Sequence, residues 1–393
     1  ALSLHKRDIP AVVKLDTQGY RASDAISKDR ERIKKDKIVN QNIDNAGNMY
    51  LCNVSLGNPA QHLRLILDTG SSDLFCNSAS SDLCSSDSSL YCELGTYNAS
   101  SSSSYKHVNS NFGISYYDGS SASGDYVRDI LTIGGATVPN FEFAVAESSS
   151  SPGVIGLGYA KNEALINMGG SGYANLPQAM VESGLINSKA YSLWLDDRDT
   201  NTGSILFGGV DTRKYSGKLQ TLPLVPIHGE YSQFLVNLTD LALDVDGSRE
   251  ETFQSEQLPT LAVLDSGTSS IFLPDSIVSS IYKGLNVTYK SDHGVGYIPC
   301  NMANKDIALK FRFGTASISV NIKELFLKQR DTTKLDDNSD PCIMGIHPTG
   351  SGTVILGDSF LRSAYVVYDL DNNEISLAKT VFNFSGNGTI LEI

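Results

Sequence analysis

Long apolar runs are missing from this chain of 393 residues. None approaches the roughly 18 residues that a membrane-crossing helix needs, so no transmembrane segment is expected. Positive charge is scarce: 31 Lys and Arg face 44 Asp and Glu, for a formal net charge of −13. That balance argues against a nucleic-acid partner. Glycine (34) and proline (12) are too few and too unperiodic for a fibrous or wholly disordered chain. Several catalytic signatures are absent as well. There is no Gly-x-Ser-x-Gly elbow, and His5, His62, His107, His228, His293 and His347 form no His-Glu-x-x-His pair. Neither a Cys-x-x-Cys pair nor a phosphate-cradling loop occurs, so no metal and no cofactor are expected.

What is present suffices for a full core. The chain is 40% apolar and long enough for two or three domains. Its charge is unevenly spread. Residues 1–35 hold nine Lys/Arg against five Asp/Glu, and the remainder holds 22 against 39. A basic leader at +4 on a body at −17 suggests an electrostatic partner within the same chain. Six Cys and six Asn-x-Ser/Thr sites (Asn53, Asn98, Asn237, Asn286, Asn383, Asn387) point to an oxidising, glycosylating route, secreted or vacuolar. Ala1 to Leu4 read as the remnant of a removed signal peptide, and Lys6-Arg7 as a dibasic processing site. The end of the chain, 387–393, is too short and polar for a lipid-anchor signal.

Secondary structure reads as strands. Short apolar or alternating runs at 63–67, 113–117, 126–133, 141–146, 191–195, 204–207, 234–238, 261–264, 318–322 and 365–370 are broken by Gly, Asn, Asp and Ser. Helical spacing is limited to 175–183 and 276–283. The fold class is therefore all-β. One loose repeat stands out. Leu65-Ile66-Leu67-Asp68-Thr69-Gly70-Ser71-Ser72 parallels Ala262-Val263-Leu264-Asp265-Ser266-Gly267-Thr268-Ser269. Gly153-Val154-Ile155-Gly156-Leu157 parallels Thr353-Val354-Ile355-Leu356-Gly357 at a matching offset, 88 residues from Asp68 and 92 from Asp265. Two related β lobes would each carry one strand-Asp-Thr/Ser-Gly turn.

Such turns can do acid–base work. An apolar strand ending in Asp sets a half-desolvated carboxylate at its tip. Two facing carboxylates cannot both ionise, so they share a proton and their pKa values split. The ionised one can deprotonate a water while the protonated one hydrogen-bonds a carbonyl. Gly70 and Gly267 allow close backbone approach, and the hydroxyls of Ser71 and Thr268 can hold the outer carboxylate oxygens. The bland alternative for either motif is an Asx turn, which does not account for the matched pair.

The two motifs resemble those of the pepsin-like aspartic proteases. The stretches 190–195, 203–211 and 361–369 are similar to the fungal candidapepsin and yapsin-like group. The resemblance implies a two-lobed all-β fold with a central cleft and pseudo-twofold lobes. It places a propeptide at 1–35, a first lobe at 36–222 and a second at 223–393, with the boundary near 219–227. The charge imbalance then suggests that residues 8–35 lie over or into the cleft of the acidic body, docked by Val12, Val13 and Leu15. It further implies an acid-active, secreted, monomeric endopeptidase in zymogen form, whose partners are extended peptide or protein substrates and its own propeptide. Asp68 and Asp265 take the catalytic positions, and Thr69 and Ser266 the hydroxyls linking the two turns. Gly70 and Gly267 present backbone groups to substrate. Residues 114–120 match the flap hairpin, which makes Tyr116 the flap tyrosine and gives Tyr117, Asp118 and Thr268 substrate-facing positions. Phe75 stands where the family has Trp, removing an indole N–H from the flap tyrosine, and Tyr117 replaces a small residue at the flap tip. Of the 15 pairings open to six Cys, the resemblance implies Cys84–Cys92 and Cys300–Cys342. Cys52 and Cys76 then remain as a third bridge or as two buried thiols. The short Cys84–Cys92 loop lacks the long acidic insertion of some yapsins, so broad specificity with tolerance for Lys/Arg is expected. A non-catalytic binding or inhibitor protein on the same scaffold is the competing function, and both intact motifs speak against it.

Overall fold

The computed structural model of the protein describes residues 2–6, 11–20, 49–85, 92–200, 202–291, 294–327, 341–384, 386 and 388–393. Strands dominate, as the alternating runs require. Thirteen of them form one continuous sheet. At one end lies the long hairpin Lys106–Ser115 and Ser121–Ile133, followed by Ala136–Ser149. The middle carries Leu74–Asn77, Val154–Gly156, Gln61–Asp68 and Met49–Leu56. The far end holds Ala190–Leu195, Thr202–Phe207 and Tyr215–Pro223 together with Ala364–Asp369 and Glu374–Thr380. The chain leaves this sheet after Pro223 and builds separate sheets of five, four and four strands. It returns through 364–380. The expected boundary at 222–223 thus falls where the chain departs, but residues 364–380 share a sheet with the first half.

The repeat in the sequence becomes a repeat in topology. Gln61–Asp68 runs parallel to Val154–Gly156, with Asp68 opposite Gly156, and Leu74–Asn77 lies antiparallel to the same strand. In the five-stranded sheet, Thr260–Leu264 runs parallel to Val354–Leu356, with Leu264 opposite Leu356, and Ile271–Leu273 is antiparallel to it. Strands buried on both faces explain why Leu65 to Leu67 and Ala262 to Leu264 read as unbroken apolar runs. The helix Asp275–Leu285 buries Ile277, Val278, Ile281, Tyr282 and Leu285 along one stripe, and Asn286 ends it with a left-handed φ of 54°.

Three expectations need correction. Cys52 and Cys76 are both buried free thiols, whereas Cys84–Cys92 and Cys300–Cys342 are bridged. The strands of Cys52 and Cys76 are separated by Gln61–Asp68 and Val154–Gly156. Three strand steps of about 4.8 Å put the two Cys about 14 Å apart, twice the reach of a disulfide at about 7 Å. The run at 113–117 stops as a strand at Ser115, because residues 116–120 form the hairpin turn.

The third correction concerns the leader. Residues 13–20 do not lie across the cleft. Val13–Tyr20 is an interior strand, antiparallel to Thr202–Phe207 on one side and to Met49–Leu56 on the other. Val13, Leu15 and Thr17 point inward and are buried, while Lys14 and Asp16 point outward and pair with each other at 2.8 Å. The leader also clips to the chain end, since His5 and Glu392 exchange backbone hydrogen bonds of 2.8 Å. The buried Glu392 carboxylate accepts from Ala11 N at 3.2 Å and Asn187 Nδ2 at 2.6 Å. Lys34, Lys35 and most of the other leader charges lie outside the described residues.

Candidate active site

Asp68 ends its strand beside Gly156, and Asp265 follows its strand beside Gly357, so the parallel topology brings both turns to the junction of the lobes. Each glycine there faces the other lobe's aspartate. A methyl group on Gly70 would sit 2.6 Å from Asp265 Oδ1, and one on Gly267 would sit 2.5 Å from Asp68 Oδ1. No side chain fits between turn and carboxylate, which is why both positions need Gly.

The two turns are clasped together. Thr69 Oγ1 donates to Leu264 O at 2.9 Å and accepts from Ser266 N at 3.0 Å. In mirror image, Ser266 Oγ donates to Leu67 O at 2.9 Å and accepts from Thr69 N at 3.2 Å. All four bonds are buried, so they are little weakened by water. The carboxylates are held alike. Asp68 Oδ1 accepts from Gly70 N at 2.7 Å and Asp265 Oδ1 from Gly267 N at 2.8 Å. Ser71 Oγ donates to Asp68 Oδ2, and Thr268 Oγ1 to Asp265 Oδ2 at 2.7 Å.

The pair is asymmetric in burial. Asp68 is buried and Asp265 half-buried. Burial first, and then the charge of Asp265, hold the Asp68 carboxyl well above the usual range, while the Ser71 and Gly70 donors pull it partly back. The arrangement therefore favours the protonated form at Asp68.

A cleft opens above the two carboxylates, walled by Met49, Ile66 and Val154 on one side and Val263 and Ile355 on the other. The hairpin turn roofs it. Tyr116 N donates to Ser120 O at 2.9 Å, Gly119 takes φ +81°, and Asp118 Oδ1 accepts from Ser120 N and Oγ at 2.8 and 2.6 Å. Asp118 thus caps its own turn as well as lining the cleft. The Tyr116 hydroxyl is buried without a hydrogen-bond partner among the described residues, as expected where Phe75 supplies no N–H. Phe75 packs on Phe112 instead, at 5.6 Å. Tyr117 is 63% exposed and reaches across the cleft, with its hydroxyl 3.3 Å from Thr353 Oγ1.

Sequence reasoning missed Thr353, and it missed the buried carboxyls Asp73 and Glu163 behind the hairpin. Asp73 was adjacent to a recognised motif, which was a usable signal. Thr353 opened one half of the downstream repeat, 353–357, an equally usable signal, and for Glu163 there was none. Among the sequons, Asn53, Asn98, Asn237, Asn286 and Asn383 are exposed, and Asn387 lies outside the described residues. Asn98 Oδ1 is engaged by Ser100 N and Oγ. No helix among the described residues is long and apolar enough to cross a membrane.

Comparison with known proteins bears on this geometry. Residues 49–380 match the family model described as eukaryotic aspartyl protease. The chain is 54% identical over 395 residues to the probable aspartic-type endopeptidase opsB of Aspergillus oryzae, spanning 100% of this chain and 81% of that protein. It is 36% identical to the aspartic proteinase yapsin-3 of Saccharomyces cerevisiae over 86% of this chain and 67% of that one. The aspartic proteinase of Irpex lacteus has the same fold, with a TM-score of 0.68 at 19% identity over 86% of this chain and 96% of that one.

Proposed function

This chain belongs to the eukaryotic aspartyl protease family and is an aspartic-type endopeptidase, and from that premise we propose that Asp68 and Asp265 hydrolyse peptide bonds at acid pH through a shared proton. The observation that carries the reading is the mutual approach of the two turns, each glycine against the other lobe's carboxylate. A water between them loses a proton to ionised Asp265 as its oxygen attacks the substrate carbonyl carbon, and Asp68 gives its proton to the carbonyl oxygen. Collapse of the resulting diol returns that proton to Asp68. The amine leaves with the proton held by Asp265, and the starting state is restored. Gly70, Gly267 and Thr268 flank an extended peptide, with Tyr116, Tyr117 and Asp118 over it. No acyl-enzyme forms.

In this reading residues 1–35 are a propeptide, the lobes are 36–222 and 223–393, and the protein is a secreted, N-glycosylated monomer. Incubation at pH 4 should show a lag, then cleavage of a denatured protein, blocked by a transition-state-like peptide inhibitor. Replacing both Lys34 and Lys35 with Ala should lengthen that lag and retain residues 1–35. Failure to digest at any pH would favour the non-catalytic alternative. Digestion with no lag in either form would remove the propeptide role.

The Tyr117–Thr353 bridge closes the empty cleft, so an incoming peptide has to break it. Exposed hydrogen bonds of this kind contribute about 0.5–1 kcal/mol. Tyr117→Phe or Thr353→Val should therefore lower KM about two- to fivefold with kcat little changed, and the double variant should go no lower. An unchanged KM in both single variants would show that the bridge does not gate entry.

A further inference from the structure

We propose that Asp73 is a positioning residue, a single buried carboxylate that ties the base of the flap and the 163–173 segment to the first Asp-Thr-Gly turn. Asp73 lies five residues beyond Asp68 and is fully buried. Three donors from two distant stretches converge on it. Tyr126 Oη and Tyr173 Oη each donate to Oδ1 at 2.9 Å, and Ala164 N donates to Oδ2 at 2.8 Å. Its carbonyl accepts from Gly156 N at 3.0 Å, next to the strand that supports Asp68.

Tyr126 belongs to the returning strand of the flap hairpin, Ser121–Ile133. Tyr173 and Ala164 bracket the segment that follows the second strand partner of Asp68. An aromatic row joins the same parts: Phe75 to Phe112 at 5.6 Å, Phe112 to Tyr126 at 5.4 Å, and Tyr126 to Tyr173 at 5.6 Å. Phe112 and Tyr126 sit on opposite strands of the flap, so both legs of the hairpin rest on this row. The flap tip can then be placed over Asp68 only as accurately as Asp73 holds its base.

Glu163 completes the arrangement. It is buried, its Oε2 accepts from Tyr173 N at 2.9 Å, and its Oε1 has no partner among the described residues. Burial foremost, with the charges of Asp73 and Glu142, pushes the Glu163 carboxyl up to about 8. Asp73 is also raised by burial, but its three donors oppose that. One proton therefore suits the pair, carried by Glu163, while Asp73 stays an acceptor for all three donors.

This inference rests on Asp68 and Asp265 as the reacting pair, but its test does not need turnover. In Asp73→Asn the amide still accepts from both phenols yet presents an N–H toward the Ala164 N–H. We expect KM to rise about tenfold with kcat within about twofold of wild type. The Kd of a transition-state-like peptide inhibitor should weaken by the same factor. Tyr126→Phe and Tyr173→Phe should each raise KM and Kd about threefold, and should add nothing in the Asp73→Asn background. A merely structural Asp73 would lower Tm and leave KM and Kd of the folded protein at wild-type values, and that result would overturn the proposal. If Asp73→Asn does not fold, wild-type Kd in both Phe variants overturns it equally. Absence of turnover with normal inhibitor binding would count against the dyad and leave the Kd comparison intact.

Discussion

Asp68→Asn and Asp265→Asn should each lose turnover by about 10²- to 10⁴-fold, the range assigned to a positioned acid–base group, while remaining folded. An amide can hold neither the proton of Asp68 nor the charge of Asp265, yet it fits the same turn and still accepts from Gly70 N or Gly267 N at Oδ1. The variants should differ in stability. The Asp68 carboxyl is raised in the fold well above its usual value, so the folded chain holds a proton that the unfolded chain loses above about pH 3.8. That stabilisation is complete below 3.8 and drains away as pH rises toward the folded pKa. Asn at 68 has no proton to lose, so its Tm should fall less than that of wild type between pH 4 and pH 7. Turnover within tenfold of wild type in either pure variant would refute the dyad, and parallel Tm curves would refute the protonation of Asp68.

Two other buried groups should shape stability in opposite directions. Glu163 has its carboxyl raised from 4.5 to about 8. Its contribution is present below pH 4.5 and lost as pH climbs to 8. The loss runs at about 1.4 kcal/mol per pH unit, at most about 5 kcal/mol in all, and less where solvent screens the charge. His347 behaves conversely. It is buried against Phe272, neither ring nitrogen has a hydrogen-bond partner among the described residues, and burial lowers it from 6.5 to about 4. Its contribution is full above pH 6.5 and lost as pH falls to 4, at most about 3.5 kcal/mol. Between 4.5 and 6.5 the two slopes cancel. Glu163→Gln should thus flatten the fall in Tm from pH 6.5 to 8 and unmask a rise from 4.5 to 6.5, whereas His347→Leu should flatten the fall from 4.5 to 4 and unmask a decline from 4.5 to 6.5. Chemical denaturation across pH 3.5–8 on the three proteins would measure this. Identical pH slopes in wild type and variant would discard the corresponding assignment.

What the sequence disclosed and what it withheld differ in kind. Asp68 and Asp265 were legible because their strand-Asp-Gly turns repeat with matching partners, and a repeat is visible in one dimension. Gly70 and Gly267 came with them. The strand at Val13–Tyr20 was not, since its Lys14 and Asp16 resemble the surrounding basic leader and only the facing strand 202–207 shows that Val13 and Leu15 are core. The Cys52–Cys76 pairing misled because neighbouring segments in sequence are not neighbouring strands in a sheet. Asp73 and Glu163 were hidden for a further reason: their partners lie up to 100 residues away, at Tyr173, and each looks like an ordinary surface acid until burial is known.

The interior place of Val13–Tyr20 bears on how this protein is made. The strand leaves the ribosome nearly 190 residues ahead of its antiparallel partner Thr202–Phe207. The strands at 364–380 and the segment that meets His5 come later still. At roughly 5–20 residues per second, the strand waits on the order of ten to forty seconds for that partner, with one edge open even after Met49–Leu56 has paired with the other. The central sheet can therefore close only after residue 380 has been made, with contacts among the most distant in the described chain, a topology that folds slowly. Until then Val13, Leu15 and the open strand edge beside them are sticky surface, which makes protection of that edge, as much as disulfide formation, a condition for obtaining the enzyme.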